Sequence, residues 1–408
     1  FTDLHGNMTT YVHKFQIKTL SVLWELDLKE HYVFEISICT PTNMTRKFSP
    51  LLFHILVIVG LIYDATTFVV GIQVQPQVPC YFIFGDSLVD NGNNNALATI
   101  AKANNRPYGI DFPGGVTGRF TNGRTMADII GKLLGFPKYI PPYATATDQE
   151  ISTGVNYASG SAGIREETGS HLGNRISFDR QLLNHEKTIS RLSALQRNKT
   201  FTEEYMKKCI YLSNIGSNDY INNYLLPSHY PTNKTFTLDQ YATVLVQQYS
   251  QHLKTLYNLG ARKIAVFGLA RIGCTPIEIK RFGATNRKLC VEWINAAIKL
   301  FNDNLTSLVK DLNSNYSDAR FTFLNVTSLS APHGDIPLPS APCCDQLRED
   351  GQCVPNSRPC HVRGLTLFFD GLHPTEISQT VIATRSYKSL FPTDTYPYDI
   401  SHLARLKL

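Results

Sequence analysis

An open α/β sheet, mostly parallel and covered by helices on both faces, is the fold class this sequence predicts. Three observations lead there. Short apolar runs alternate with longer stretches of helical periodicity, the runs end at glycine or polar turns, and no internal repeat or linker interrupts the order. The composition belongs to a packed protein: 408 residues, 43% hydrophobic and 18% charged, with 22 Phe and 20 Tyr. Disorder is excluded, because it needs high charge and few aromatics. The 26 Gly and 21 Pro are too scattered for collagen or a linker. The net charge of +6 is spread without a Lys/Arg run, so no nucleic-acid partner is expected.

Residues 1–43 show no sustained periodicity. Met44 opens a different segment, in which Arg46 and Lys47 precede an apolar run over 51–63 and small residues follow at Val70-Gly71. That is the layout of a secretory signal peptide over 44–71, with cleavage expected within 66–76. A membrane span needs about 20 apolar residues, and Asp64 ends this run early. The expectation is therefore export without a stable membrane anchor, with 1–43 as upstream sequence foreign to the natural protein. One domain should occupy 79–391, followed by a C-terminal tail over 392–408.

Within that domain, apolar runs predict five strands, at 80–84, 155–158, 209–215, 263–267 and 320–326. Helical periodicity covers 125–134, 178–195, 238–259 and 291–312, the third ending before Gly260 as a helix should. A last helix should start near Thr375.

Export agrees with two further features. Sequons stand at Asn198, Asn233, Asn304, Asn315 and Asn325, which makes these candidate N-glycan sites. Of nine cysteines, Cys343, Cys344, Cys353 and Cys360 crowd among Pro, Gly and Asn, which reads as a disulfide staple. Zinc is disfavoured there, since Cys343 and Cys344 are adjacent and no C-x-x-C spacing occurs. These four should pair among themselves and Cys274 with Cys290, while Cys209, inside a core strand, should be a free thiol.

In a parallel sheet, ligands bind beyond the carboxyl ends of the strands. Four polar clusters fall at that edge: Gly85-Asp86-Ser87-Leu88, Ser159-Gly160-Ser161-Ala162-Gly163, Gly216-Ser217-Asn218-Asp219 and Asp370-Gly371-Leu372-His373-Pro374. A serine hydroxyl attacks well only when a base takes its proton. Ser87 lies at a strand-to-helix turn, His373 can be the base, and Asp370 can fix its tautomer. The Ser87 N–H, an N–H of the 159–163 loop and the Asn218 amide can stabilise an oxyanion. Taken singly, Ser87 and Asp86 read as helix caps, Asp370 and His373 as a helix opening, and Asn218-Asp219 as a turn. Together, in order and at one edge, they point to catalysis. The clusters contain a single histidine, which argues against a metal hydrolase. Asp90-Asn91-Gly92-Asn93-Asn94 lacks the Glu of an EF-hand at position 12, where Ala101 stands, and reads as a turn.

The run from Phe84 to Asn94 resembles the first block of the plant-type GDSL esterase/lipases, of the SGNH hydrolase superfamily. Gly154-Val155-Asn156-Tyr157-Ala158-Ser159-Gly160, Ile215-Gly216-Ser217-Asn218-Asp219 and Asp370-Gly371-Leu372-His373-Pro374-Thr375-Glu376 resemble its later blocks. The similarity spans about 79–391 and takes in the run from Gly118 to Arg124. It implies a flavodoxin-like three-layer α/β/α sandwich, secretion to the extracellular space or cell wall, and ester hydrolysis without a cofactor. It further implies Ser87 as nucleophile, His373 as base and Asp370 as its partner, with Gly160 and Asn218 completing the oxyanion hole. The ester could be an acyl lipid, a cutin-like polyester or an acetylated polysaccharide. An acyltransferase using the same triad, or an inactive secreted binding protein, would share the fold. Two departures stand out: Phe368-Phe369-Asp370 where an aromatic-Trp-Asp ending is expected, and an oddly composed Pro-rich stretch over 330–342.

Overall fold

The computed structural model describes residues 75–283, 289–330 and 341–407. The expected signal segment, the residues before it and most of the Pro-rich stretch lie outside those residues. Five strands form one sheet: β1 (Tyr81–Gly85), β2 (Ile210–Asn214), β3 (Lys263–Phe267), β4 (Arg320–Leu324) and β5 (Thr395–Tyr396), hydrogen-bonded in that order. The first four are parallel, in register from Tyr81 opposite Ile210 to Phe267 opposite Leu324, and β5 is antiparallel to β4.

Alternation along the strands sends side chains to two cores. Phe82, Phe84, Tyr211, Val266 and Phe321 enter one face. It is covered by α2 (Phe178–Gln196), α4 (Leu238–Asn258) and α6 (Glu292–Asn315). Tyr81, Ile83, Leu212, Ala265 and Phe267 enter the other. There the cover is α1 (Met126–Leu133), α7 (Glu376–Tyr387) and α8 (Ile400–Arg405). Being buried on both faces, the strands read as unbroken apolar runs. The short helices α3 (Lys199–Lys208) and α5 (Pro276–Phe282), which the periodicity does not announce, fill connections.

Three expectations change. Residues 155–158 run parallel to β1 on its free edge, where Ile83 donates to Val155 O at 3.0 Å and accepts from Tyr157 N at 2.8 Å. The pairing is limited to isolated β-bridges, Asn156 facing Ile83 on one side and Pro142 on the other, so the segment is an edge strand in position without a full ladder. Residues 392–408, read as a tail, supply β5 and α8, with Ile400 and Leu403 fully buried. Cys209 is not free: it pairs with Cys80, the two Cα atoms 4.7 Å apart. Each stands one residue before its strand, and parallel neighbours sit at just that spacing. The other bonds are Cys274–Cys290, Cys343–Cys360 and Cys344–Cys353, as the clustering implied.

Helix α5 braces the loop that precedes α7, its Ile277 N–H donating to Gly371 O at 3.0 Å. The next residue, Glu278, is fully buried and accepts from Arg281 Nη1 at 2.9 Å, while its Oε2 has no partner. Burial, opposed by the Arg281 charge, lifts its carboxyl to about 7. A folded value above the unfolded one means the protonated form is favoured by folding. Its contribution is full below about 4.5 and is lost as pH rises through about 7. Glu278→Gln should therefore raise the melting temperature at pH 8 and barely change it at pH 5. The gain is bounded by about 3 kcal/mol, at 1.36 kcal/mol per pH unit. Melting curves of the two proteins at both pH values check this.

Candidate active site

The turn after β1 is set by backbone packing. Gly85 has φ +158°, and a Cβ there would lie 2.3 Å from Asn214 O on the adjacent strand, so only glycine fits. Gln181 of α2 holds the same residue from the other side, its Oε1 accepting from Gly85 N at 2.9 Å and its Nε2 donating to Gly85 O at 2.8 Å. Asp86 Oδ1 then accepts from Leu88 N at 3.0 Å, closing the turn that lifts Ser87 above the sheet edge.

Opposite Ser87 lies the loop before α7. Asp370 is fully buried, and its Oδ1 accepts from Leu372 N at 2.8 Å and from His373 N at 2.7 Å. Its Oδ2 lies 2.7 Å from His373 Nδ1, and His373 Nε2 lies 2.8 Å from Ser87 Oγ. The three residues, expected together from the sequence, thus form one hydrogen-bonded chain. The 118–124 run explains how the histidine is presented. Arg119 makes two 2.7 Å bonds to Asp128 of α1. Thr121 Oγ1 donates to Pro374 O at 2.9 Å, Asn122 Oδ1 accepts from Glu376 N at 2.8 Å, and Arg124 Nε meets Glu376 Oε1 at 2.7 Å. The start of α7 is thereby clamped beside His373, whose ring also meets that of Phe120 at 5.0 Å.

Asn218 sits in a single helical turn after β2, Ser217–Asp219, and borders the same cavity as Ser87 and His373. One N–H of its amide bonds Ala162 O at 2.9 Å. Asn222 Nδ2 donates to Asn218 Oδ1 at 2.7 Å, which fixes the amide so that Nδ2 is the donor end. Gly160 is placed differently from the expectation: its N–H donates to Asp90 Oδ2 at 3.0 Å. Asp90 Oδ1 meanwhile accepts from Gly92 N and Asn93 N at 2.8 and 2.9 Å. The 90–94 run is thus a turn, stitched to the 159–163 loop.

Three contributors escape a reading of the sequence. Gln181 is one of several buried polar residues of α2, beside Asn184, His185 and Thr188, and nothing in the sequence singles it out. Asn222 stands four residues after Asn218, one helical turn on. Tyr108 carries no signal at all, yet its hydroxyl donates to Asp370 Oδ2 at 2.6 Å and accepts from Cys353 N at 3.0 Å.

Burial shapes the electrostatics. It lifts Asp86 to about 7, against the Leu88 N–H and the His373 charge. It lifts Asp90 to about 6, against the N–H groups of Gly92, Asn93 and Gly160. Asp219 also rises to about 6, burial outweighing the donors it accepts from Arg165, Ile164 and Thr168. Among the described residues, no group of three or more His, Cys, Asp or Glu side chains is placed to hold a metal ion.

A buried acid, an imidazole and a hydroxyl in one chain can pass a proton from the hydroxyl and leave it nucleophilic. Comparison with known proteins places the chain in a family. The family described as GDSL-like lipase/acylhydrolase matches residues 81–385. The chain belongs to this family. Two Arabidopsis thaliana proteins named GDSL esterase/lipase are each 48% identical to it, over 346 and 345 residues. These alignments cover 83% and 82% of this chain and 94% of each relative. The crystal structure of an extracellular lipase from Streptomyces rimosus aligns with 77% of this chain and 97% of its own, at 12% identity and a TM-score of 0.33. As a GDSL family member, the protein is a carboxylic ester hydrolase with an α/β fold.

Not every polar residue of the GDSL blocks faces the cavity. Asp219, fully buried, accepts from Ile164 N at 2.7 Å, Arg165 N at 3.0 Å and Thr168 Oγ1 at 2.8 Å, tying the 159–168 loop to the Asn218 turn. Asp219→Ala would orphan three donors, each worth about 1–3 kcal/mol when buried unsatisfied. It should lower unfolding free energy by about 3 kcal/mol or more, read as a lower midpoint in urea.

Proposed function

We propose that this protein is a secreted serine esterase that cleaves its substrate through an acyl-enzyme on Ser87. The observation that carries the reading is the unbroken chain from Ser87 Oγ to His373 Nε2 at 2.8 Å and from His373 Nδ1 to Asp370 Oδ2 at 2.7 Å. His373 takes the Ser87 proton as Oγ attacks the ester carbonyl, and Asp370 holds the imidazolium that forms. The proton then goes to the leaving alcohol. Water, activated by the same imidazole, releases the acid. The Ser87 N–H and the Asn218 amide stabilise the tetrahedral oxyanion. The Gly160 N–H, spent on Asp90, adds less to the hole than its place in the loop implied.

Export is supported by four disulfides, which persist in oxidising compartments. Asn198, Asn233 and Asn315 are exposed and open to glycosylation, whereas Asn304 and Asn325 are half-buried. Among the described residues, no helix is long and apolar enough to cross a membrane.

The cavity beside Ser87 favours an acyl chain over an acetylated polysaccharide. Its exposed lining is largely apolar, Met126, Ile221, Ala270, Ile272, Val326 and Ile382 among the residues that form it. Its volume is about 100 Å³, less than the ~150 Å³ of an apolar cavity that holds benzene. Scaled from six carbons in ~150 Å³, this space takes an acyl group of roughly four carbons.

A fluorophosphonate should label Ser87, and Ser87→Ala should lose both the label and ester hydrolysis. Labelling of another serine, with Ser87 untouched, would overturn the assignment. On nitrophenyl esters, kcat/KM should rise about fourfold per methylene, from ~0.8 kcal/mol each, between acetyl and roughly butanoyl, then level off. A series that is highest at acetyl would contradict the apolar subsite.

A further inference from the structure

We infer that Tyr108 is a positioning residue of the acid–base pair: by donating to Asp370, its hydroxyl sets how much carboxylate charge reaches His373. The inference rests on His373 being the base. Asp370 has two oxygens with different work. Oδ1 is filled by the backbone N–H groups of Leu372 and His373, which shape the loop. Oδ2 is divided between His373 Nδ1 at 2.7 Å and the Tyr108 hydroxyl at 2.6 Å. Hydrogen bonds to a charged acceptor are the strong ones. A phenol at this oxygen therefore draws off charge that would otherwise support the imidazolium.

The direction of the phenol O–H is settled by its surroundings. The Cys353 N–H reaches the Tyr108 oxygen at 3.0 Å and occupies it as an acceptor, so its own proton points to Asp370. Tyr108 is 1% exposed, and its ring packs edge-on against Phe369 at 5.6 Å and Phe120 at 6.2 Å. Burial, with the Asp370 charge second, pushes its ionisation well above the ordinary phenol range, so it stays a donor throughout any working pH. Cys353 is itself bonded to Cys344, whose N–H donates to Phe369 O at 2.9 Å. The cysteine staple thus holds both the residue before Asp370 and the group that aims Tyr108.

Other charges also face this pair. Asp86 approaches His373 from the β1 turn, Asp350 approaches Asp370 and Tyr108 from the cysteine-rich segment, and Arg271 borders the cavity. Asp86, lifted to about 7, is a rival source of a pH effect and must be tested separately.

The experiment is the pH profile of kcat/KM for the full enzyme on a short-chain nitrophenyl ester. Tyr108→Phe keeps the ring and removes the donor. The acid limb should move to higher pH by about half a unit or more, with KM within threefold. Half a unit corresponds to ~0.7 kcal/mol of extra support for the imidazolium once the phenol no longer competes for Oδ2. Fluorotyrosine at position 108, a more acidic phenol, should move the limb the other way. Asp86→Asn should retain both the limb and its response to Tyr108→Phe. The downfield proton resonance of His373 Nδ1–H should shift in Tyr108→Phe, and should be absent in His373→Ala. A limb that stays in place in both position-108 variants overturns the inference, even if stability falls. A wild-type profile with no acid limb removes the histidine base itself, and this inference with it.

Discussion

A carboxylate sealed from water is tolerable only when its oxygens are filled by donors, and Asp370 is the group on which this site is built. Four donors converge on it: two backbone N–H groups, one imidazole and one phenol. Each comes from a part of the chain that something else must hold. Gly371 is held by α5 through Ile277, and the start of α7 by the 118–124 run. Tyr108 is seated among Phe120, Phe369 and the cysteines in a small core of its own. Through Tyr108, this third core supplies one of the four donors that keep the anion satisfied.

The serine owes its place to the sheet instead. With 155–158 counted beside β1, the spatial order of the parallel segments in chain sequence is 2-1-3-4-5, the doubly wound order expected from the family resemblance. Connections leave β1 in opposite directions, so a crevice opens above its carboxyl end. Ser87 stands there, while the Asn218 turn follows β2 alongside. Gly85 and Gln181 make that position rigid without approaching the reacting atoms.

Much of this was legible because it is written locally. Apolar runs announce doubly buried strands, and helical periodicity announces α1, α2, α4 and α6. Ser87, Asp370, His373 and Asn218 stand out because polar clusters after apolar runs are conspicuous. What escaped depends on neighbours that the chain brings together late. Tyr108 meets its acceptor across 262 residues and Gln181 its glycine across 96, so neither has a local signature. Cys209 looked like one more core residue, because only the register of β1 against β2 reveals Cys80 opposite it. The strand β5 is two residues long, too short for any alternation to show. Gly160 was read as an oxyanion donor, but nothing in its neighbourhood foretold that Asp90 would claim its N–H.

The two kinds of covalent tie in this molecule divide its labour. Cys80–Cys209 joins the amino ends of β1 and β2, at the sheet edge away from Ser87, and closes a span of 129 residues. Closing so long a loop acts mainly on the unfolded chain, by close to 5 kcal/mol in the entropy model. Cys344–Cys353 spans only 9 residues, but it lies one hydrogen bond from Tyr108 and two from Asp370. A reductant reaching the first would be felt as fragility, with the surviving folded molecules still competent. One reaching the second would leave the fold standing and blunt its chemistry, so that redox damage at the two sites would have different symptoms.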